Sequence, residues 1–246
     1  MRIEDKSGRI RAILLDIEGT TTPVDFVTKK LFPYASQRFE SFLRAYWPQP
    51  EIQALIGDLR AQHEGDEKAG LRPAAWREST ADSRVASCVE YLHWLVVRDN
   101  KCTALKTLQG KIWQEGYARG ELKGEVYEDV PRAMMRWKEQ GRDIAIYSSG
   151  SVLAQQLLFG TTRYGDLSRH ISGFFDTQTG SKAESSSYAK ITTTLGHGPA
   201  TVLFLSDAEK EIAAARSAGM KTGLCVRDAK ADPRIAVLTF DAVFPE

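Results

Sequence analysis

The sequence predicts an α/β fold, a parallel sheet with helices between its strands, interrupted by a long all-helical insertion. Three observations carry that reading. Apolar runs at Ala12–Leu15, Ile144–Ile146 and Thr201–Leu205 each close on polar residues: Asp16-Ile17-Glu18-Gly19-Thr20, Ser148-Ser149-Gly150 and Ser206-Asp207. Helical stretches follow the second and third runs, the alternation that favours parallel pairing with right-handed crossovers. From roughly residue 23 to residue 124, apolar residues instead recur at helical spacing.

Ala12, Ile13, Leu14 and Leu15 suit a strand buried on both faces. Asp16 then stands at the strand's carboxyl end, where ligands bind in open α/β sheets, and Gly19 lets the chain turn and expose backbone donors. Taken alone, the segment is equally well explained as a turn rich in polar caps. In the insertion, Phe39, Phe42, Leu43, Tyr46 and Trp47 mark one amphipathic helix, and Ile52, Leu55, Ile56 and Leu59 a second. Val85, Cys88, Val89, Leu92 and Val96 mark a third, and Leu105, Leu108 and Ile112 a fourth. The stretch from Gly65 to Thr80, with Gly70 and Pro73 among many charges, reads as a loop. Trp76 within it reads as an aromatic anchor and Arg77 as an exposed guanidinium in preference to substrate contacts; Trp94 and Trp113 read as packing residues.

Gly120 to Glu128 returns the chain to the sheet, and Pro131 fits the first turn of a helix that Gly141 ends. The strand Asp143–Tyr147 leads into Ser148 and Ser149 and a helix through Leu157 to Gly160. Hydroxyls and the first N–H groups of that helix suit a phosphate oxygen, because those donors lack intrahelical partners and the helix dipole favours negative charge. A helix N-cap serine is the plain alternative. Gly180-Ser181-Lys182 precedes a helix from Ala183 to Leu195 that Gly196 ends. Lys182 is one of 33 basic residues, but an ammonium at this place would offset the repulsion between an attacking carboxylate and a phosphate. After Ser206-Asp207 a helix runs from Ala208 to Ala218. Glu211 lies one turn beyond Asp207, either directed to the same place or exposed. Thr222–Val226 and Ala242–Phe244 are expected to extend the sheet. Three strand ends bearing carboxyl and hydroxyl groups on one sheet point to a convergent site of hard oxygen ligands, the donors that magnesium requires.

The 246 residues, 42% of them hydrophobic, suffice for one domain or two modest ones. Thirty-three basic and 32 acidic residues leave a charge of +1, with no basic surplus to suggest nucleic acid. Cys88, Cys102 and Cys225 are odd in number and far apart, as reduced structural thiols are. His63, His93, His170 and His197 are dispersed, which disfavours a histidine metal cluster. No apolar segment reaches membrane-spanning length, so the cytoplasm is the expected compartment and a small molecule the expected partner.

Asp16, Ser148, Lys182 and Asp207 match in order the four motifs of the haloacid dehalogenase superfamily. More narrowly, the chain resembles the enolase-phosphatase (acireductone synthase) family of methionine salvage. The likeness covers nearly the whole chain: Asp16 through Pro23, Leu31-Phe32-Pro33-Tyr34, Gln109 through Trp113, Gly124 through Tyr127 and Ile146 through Ser151. It implies a Rossmann-like parallel-sheet haloacid dehalogenase core, residues 1–22 and 125–246, with residues 23–124 as an inserted all-helical cap that closes over small substrates. It implies Asp16 as nucleophile; Asp16, the Glu18 backbone carbonyl and Asp207 on one Mg2+; Lys182, Ser148 and Ser149 on the substrate; and a monomer. The superfamily's second catalytic aspartate is Glu18 in this chain, and its extra methylene means that the aspartate's acid–base role does not transfer automatically. The implied reaction is enolisation of 2,3-diketo-5-methylthiopentyl-1-phosphate, then dephosphorylation through an aspartyl-phosphate to an acireductone. The base for enolisation stays open between Glu18, water, a cap residue and another acid. Competing readings are another magnesium-dependent phosphatase of the superfamily, a phosphomutase, and a noncatalytic binding protein on the same fold.

Overall fold

Strand β1 (Ala12–Leu15) has no solvent exposure at any position and lies between two parallel neighbours, β2 (Asp143–Tyr147) and β4 (Val202–Ser206). The computed structural model describes residues 1–5, 8–100, 102–228 and 230–245. With β3 (Gly173–Phe175) and β5 (Lys221–Leu224) the sheet is five-stranded and parallel, in the order β3-β2-β1-β4-β5. The helices in chain order are α1 (Val24–Phe26), α2 (Phe32–Ser36), α3 (Phe39–Tyr46), α4 (Pro50–Lys68), α5 (Ala81–Val97), α6 (Thr103–Ala118), α7 (Asp129–Glu139), α8 (Val152–Gly160), α9 (Ser185–Leu195) and α10 (Glu209–Ser217). The chain divides into two compact units, Met1–Val27 with Lys123–Glu246, and Thr28–Leu122.

In the sheet-bearing unit, alternation sorts the central strands onto two faces. Ala12, Leu14, Ala145, Tyr147, Val202 and Phe204 share one face with Tyr188 and Ile191 of α9 and Ile212 and Ala215 of α10. Each aliphatic side chain removed from water in this way contributes about 1.5–3 kcal/mol. Helix α7 packs against β2, and its fully buried Trp137 donates its indole N–H to the Val243 carbonyl at 2.9 Å. The register puts Leu15 opposite Ile146 on one side and Leu205 on the other. Asp16 is therefore level with Tyr147 and Ser206, while Ser148 and Asp207 stand one residue farther along the flanking strands.

In the helical unit, α3 packs on α5, α4 on α5 and α6, and α2 on α6. The Thr80 hydroxyl accepts from Ser83 N–H, and Ser83 returns the bond to the Thr80 amide, a reciprocal cap that starts α5. Trp113 donates to the Leu31 carbonyl at 2.8 Å, and Trp94 stacks on Tyr91. Trp76 sets its edge against His63 and Tyr91, and Arg77 pairs with Glu90, so both serve as anchors of this unit.

Two expectations are corrected. The loop expected to begin at Gly65 begins after Lys68, because Glu64, Asp66, Glu67 and Lys68 sustain α4 and the buried Asp66 accepts from the Tyr91 hydroxyl. Ala242–Phe244 is not a sheet strand: Phe240–Ala242 is a 3-10 turn, and a single bridge joins Val243 to Ile3. Strand β3, only three residues long, was not anticipated. The thiols are free, and burial pushes Cys88 and Cys225 up to about 12. Among the described residues, no helix is long and apolar enough to cross a membrane.

Candidate active site

The turn after β1 winds back on itself. The Ile17 carbonyl accepts from the amides of Thr20, Thr21 and Thr22, the Gly19 amide donates to the Thr22 carbonyl, and the Thr21 hydroxyl donates to the Asp16 carbonyl. Gly19 has φ +67°, and a Cβ there would fall 2.1 Å from Asp207 Oδ2, so the glycine admits both the turn and the carboxylate. Glu18 is half-buried in this turn and bridges to Thr22 through its backbone.

The Asp16 carboxylate is buried and held on both oxygens. Oδ1 accepts from Lys182 Nζ at 2.6 Å and from the Ile17 amide at 2.8 Å; Oδ2 lies 3.0 Å from the Ser206 hydroxyl. Ser206 Oγ is also 3.0 Å from Glu211 Oε2, and it accepts from the Ala208 amide. A hydroxyl carries one proton, so Ser206 donates to one of these carboxylates at a time.

Lys182 reaches Asp16 from a loop braced by two buried tyrosines. The Tyr147 hydroxyl donates to the Gly180 carbonyl at 2.9 Å and the Tyr188 hydroxyl to the Lys182 carbonyl at 2.8 Å. Gly180 has φ +146° and lies so close to Ser187 Oγ that a Cβ would fall 2.2 Å away. Lys182 Nζ pairs with Glu211 Oε2 at 2.6 Å as well. Burial works against its charge, but Asp16 and Glu211 together hold its pKa above the usual lysine range. Glu211 and Asp207 are both pushed up, first by desolvation and then by the Asp16 charge, with Lys182 opposing. Asp207 is exposed, with its carboxylate beside Gly19.

The structure thus brings Asp16, Lys182, Ser206 and Glu211 into direct contact, with Asp207 against the Gly19 backbone. Ser148 is buried at the end of β2, its hydroxyl accepting from the Gly150 amide at 3.2 Å; Ser149 is half-buried beside it. The helix cap that could have explained Ser148 is made by Ser151, whose hydroxyl accepts from the Ala154 amide. Glu211 turns toward Lys182, a placement its four-residue spacing from Asp207 allowed. Ser206 stood in the sequence as a polar residue closing the third apolar run, but the positioning hydroxyls of Tyr147 and Tyr188 carried no signal, since each reads as strand or helix core. Among the described residues, no three His, Cys, Asp or Glu side chains form a metal-holding group. A hard cation here would rely on Asp16 and Asp207, whose mutual repulsion it would relieve, together with backbone and solvent oxygens.

A family model of haloacid dehalogenase-like hydrolases matches residues 10–219. Enolase-phosphatase E1 of Synechococcus elongatus is 48% identical over 96% of this chain and 97% of its own length. The Pseudomonas aeruginosa protein of that name is 42% identical over 96% and 99%, and the Drosophila yakuba one 44% identical over 90% and 85%. Among solved structures, the UTR4 protein of Saccharomyces cerevisiae superposes with a TM-score of 0.74 at 31% identity, covering 96% of this chain and 97% of that one. With the four motif positions at the ends or flanks of parallel strands and likeness along nearly its whole length, the chain belongs to the haloacid dehalogenase-like hydrolases and, within them, to the enolase-phosphatase family.

Proposed function

We propose that this enzyme converts 2,3-diketo-5-methylthiopentyl-1-phosphate, by enolisation and then dephosphorylation, to the acireductone 1,2-dihydroxy-3-keto-5-methylthiopentene. The observation that carries the reading is the buried Asp16 carboxylate, clamped by Lys182, the Ile17 amide and Ser206 with Asp207 alongside, in a chain so similar to enolase-phosphatase E1.

The family is generally magnesium-dependent. Asp16, Asp207 and the Glu18 backbone carbonyl would hold the ion, which supplies Lewis-acid stabilisation to the substrate's oxygens when bound. In the first step a proton leaves the carbon that bears the phosphate, the C–H electron pair becomes the C=C bond, and the carbonyl π pair moves onto oxygen, which takes up a proton to give the enol. Glu18 is a candidate acceptor of that proton; water, a residue of the helical unit or another acid would serve the same chemistry. In the second step an Asp16 carboxylate oxygen attacks phosphorus, and the P–O bond to the substrate breaks with its electron pair leaving on the ester oxygen. Water then attacks the aspartyl-phosphate, releasing phosphate and restoring Asp16. Lys182, charged through neutral pH, offsets the repulsion between carboxylate and phosphoryl oxygens. Ser148 is assigned to the charge on the transferred phosphoryl group and Ser149 to the substrate, Ser148 standing directly after β2 at the carboxyl end of the sheet.

The test follows enol absorbance and free phosphate together, with the diketo phosphate and Mg2+, in the parent and in Asp16→Asn. Both signals in the parent, and enol without phosphate in the variant, are expected. Phosphate release from unrelated esters with no enol signal from the diketone would make the enzyme a general phosphatase instead.

A further inference from the structure

The turn that carries Asp16 is gripped from outside the reacting cluster. Thr20 has no solvent exposure, and its carbonyl accepts from two N–H groups of Arg227, Nε at 2.9 Å and Nη2 at 2.5 Å. A buried carbonyl needs a partner, and here Arg227 is that partner. The same guanidinium uses Nη1 to pair with Asp129 Oδ2 at 2.6 Å, both side chains being less than a tenth exposed. It lies between two aromatic rings, 4.5 Å from the centroid of Tyr127 and 4.2 Å from that of Phe240. Asp129 is fixed in turn by the Thr239 hydroxyl and the Phe240 amide, and the Tyr127 amide donates to the Thr21 carbonyl. Two adjacent carbonyls of the turn, Thr20 and Thr21, are thus pinned to one small assembly of Arg227, Asp129 and Tyr127.

We propose that Arg227 is a positioning residue for catalysis, fixing through the Thr20 carbonyl the turn that presents the Asp16 carboxylate and the Glu18 backbone. The proposal rests on the reading of Asp16 as the nucleophile. A structural ion pair alone would have no reason to spend a fork of two donors on the one turn that carries the attacking group. Lysine cannot replace it, because an ammonium lacks the planar fork that serves the carbonyl and Asp129 together.

The test compares the parent with Arg227→Lys, which keeps the charge, and with the double variant Asp129→Asn/Arg227→Gln, which leaves no buried ion alone. Amide hydrogen exchange is read at Thr20, Thr21 and Thr22, with Leu14 and Phe204 as strand controls, alongside steady-state phosphate release. In Arg227→Lys the turn amides are expected to exchange about tenfold faster while the strand amides are unchanged, because a local opening is being released. Over the same comparison kcat is expected to fall at least about tenfold with KM within about threefold, the pattern of a lost transition-state alignment. A folded Arg227→Lys whose kcat stays within about twofold of the parent overturns the proposal, as does one whose turn amides exchange no faster. If Arg227→Lys does not fold, the same readings on the double variant decide. A parent that released no phosphate would sink the enolase-phosphatase reading instead; the exchange comparison, needing neither substrate nor metal, would then decide the clamp by itself.

Discussion

The turn after β1 meets two charge clusters of opposite character, the first partly exposed and the second buried. On one side, Asp16 and Glu211 share a single ammonium, Lys182, and Asp207 stands close enough to feel the Asp16 charge. On the other side, Asp129 and Arg227 match one for one, and their remaining polar atoms are met by Thr239, the Phe240 amide and the Thr20 carbonyl. Burial penalises ionised carboxylates in both places. At Asp129 it is overcome by Arg227, and the carboxyl is held below its usual range; at Asp207 and Glu211 the Asp16 charge adds to it, and both are raised. The balanced cluster is built to stay as it is. The unbalanced one holds more carboxylates than cations, a surplus that another positive group would relieve.

The largest expected effect breaks the reacting cluster. Asp16→Asn should retain the fold and lower phosphate release by roughly a thousandfold or more, measured under single-turnover conditions, since the attacking group itself is lost. Appreciable release by this variant would remove Asp16 as nucleophile. Next, Asp129→Ala should cost about 3–5 kcal/mol in urea unfolding, because it strands the Arg227 charge in the interior. A cost below about 1 kcal/mol would show that water reaches the guanidinium and that the two clusters differ less than their geometry suggests.

Metal addition tests the surplus of carboxylates. Saturating Mg2+ should stabilise the parent by about 2.7 kcal/mol at one hundred times its Kd, and Asp207→Asn should lose most of that gain. Without metal, Asp207→Asn should be slightly more stable than the parent at neutral pH. The sign follows from the raised carboxyl: its ionisation disfavours the folded state as pH climbs from its unfolded value through its folded one, so the variant's advantage should vanish in acid. Asp129 runs the other way. Its lowered pKa gives stability that is present above its ordinary value of 3.8 and lost as pH falls through the folded one, a loss absent from Asp129→Asn. The smallest effect is expected from Tyr147→Phe, which removes the donor to the Gly180 carbonyl and should cost about 1 kcal/mol while slightly weakening the hold on Lys182.

Much of this arrangement was legible in the chain. Ala12–Leu15, Ile144–Ile146 and the run before Ser206 are unbroken apolar stretches followed by polar residues at the carboxyl end, and the helices from Phe39 to Ala118 follow a 3.6-residue period. What escaped was short or distant. Strand β3 has too few residues to show a period, and α1 and α2 are too brief to stand out from a loop. The Phe240 segment has strand composition, yet it turns to cap Asp129.

By itself the sequence determined which residues could serve: buried strands, a carboxylate, hydroxyls and a lysine at the positions where a parallel sheet leaves room for a ligand. That information is local, because periodicity and turn chemistry act over a few residues. Only the tertiary structure decided the partnerships. Lys182 lies 166 positions from Asp16, Ser206 lies 190 from it, and Arg227 lies 207 from Thr20. A buried charge or carbonyl takes whichever partner the packed chain brings within about 3 Å, and no spacing rule along the sequence encodes that choice.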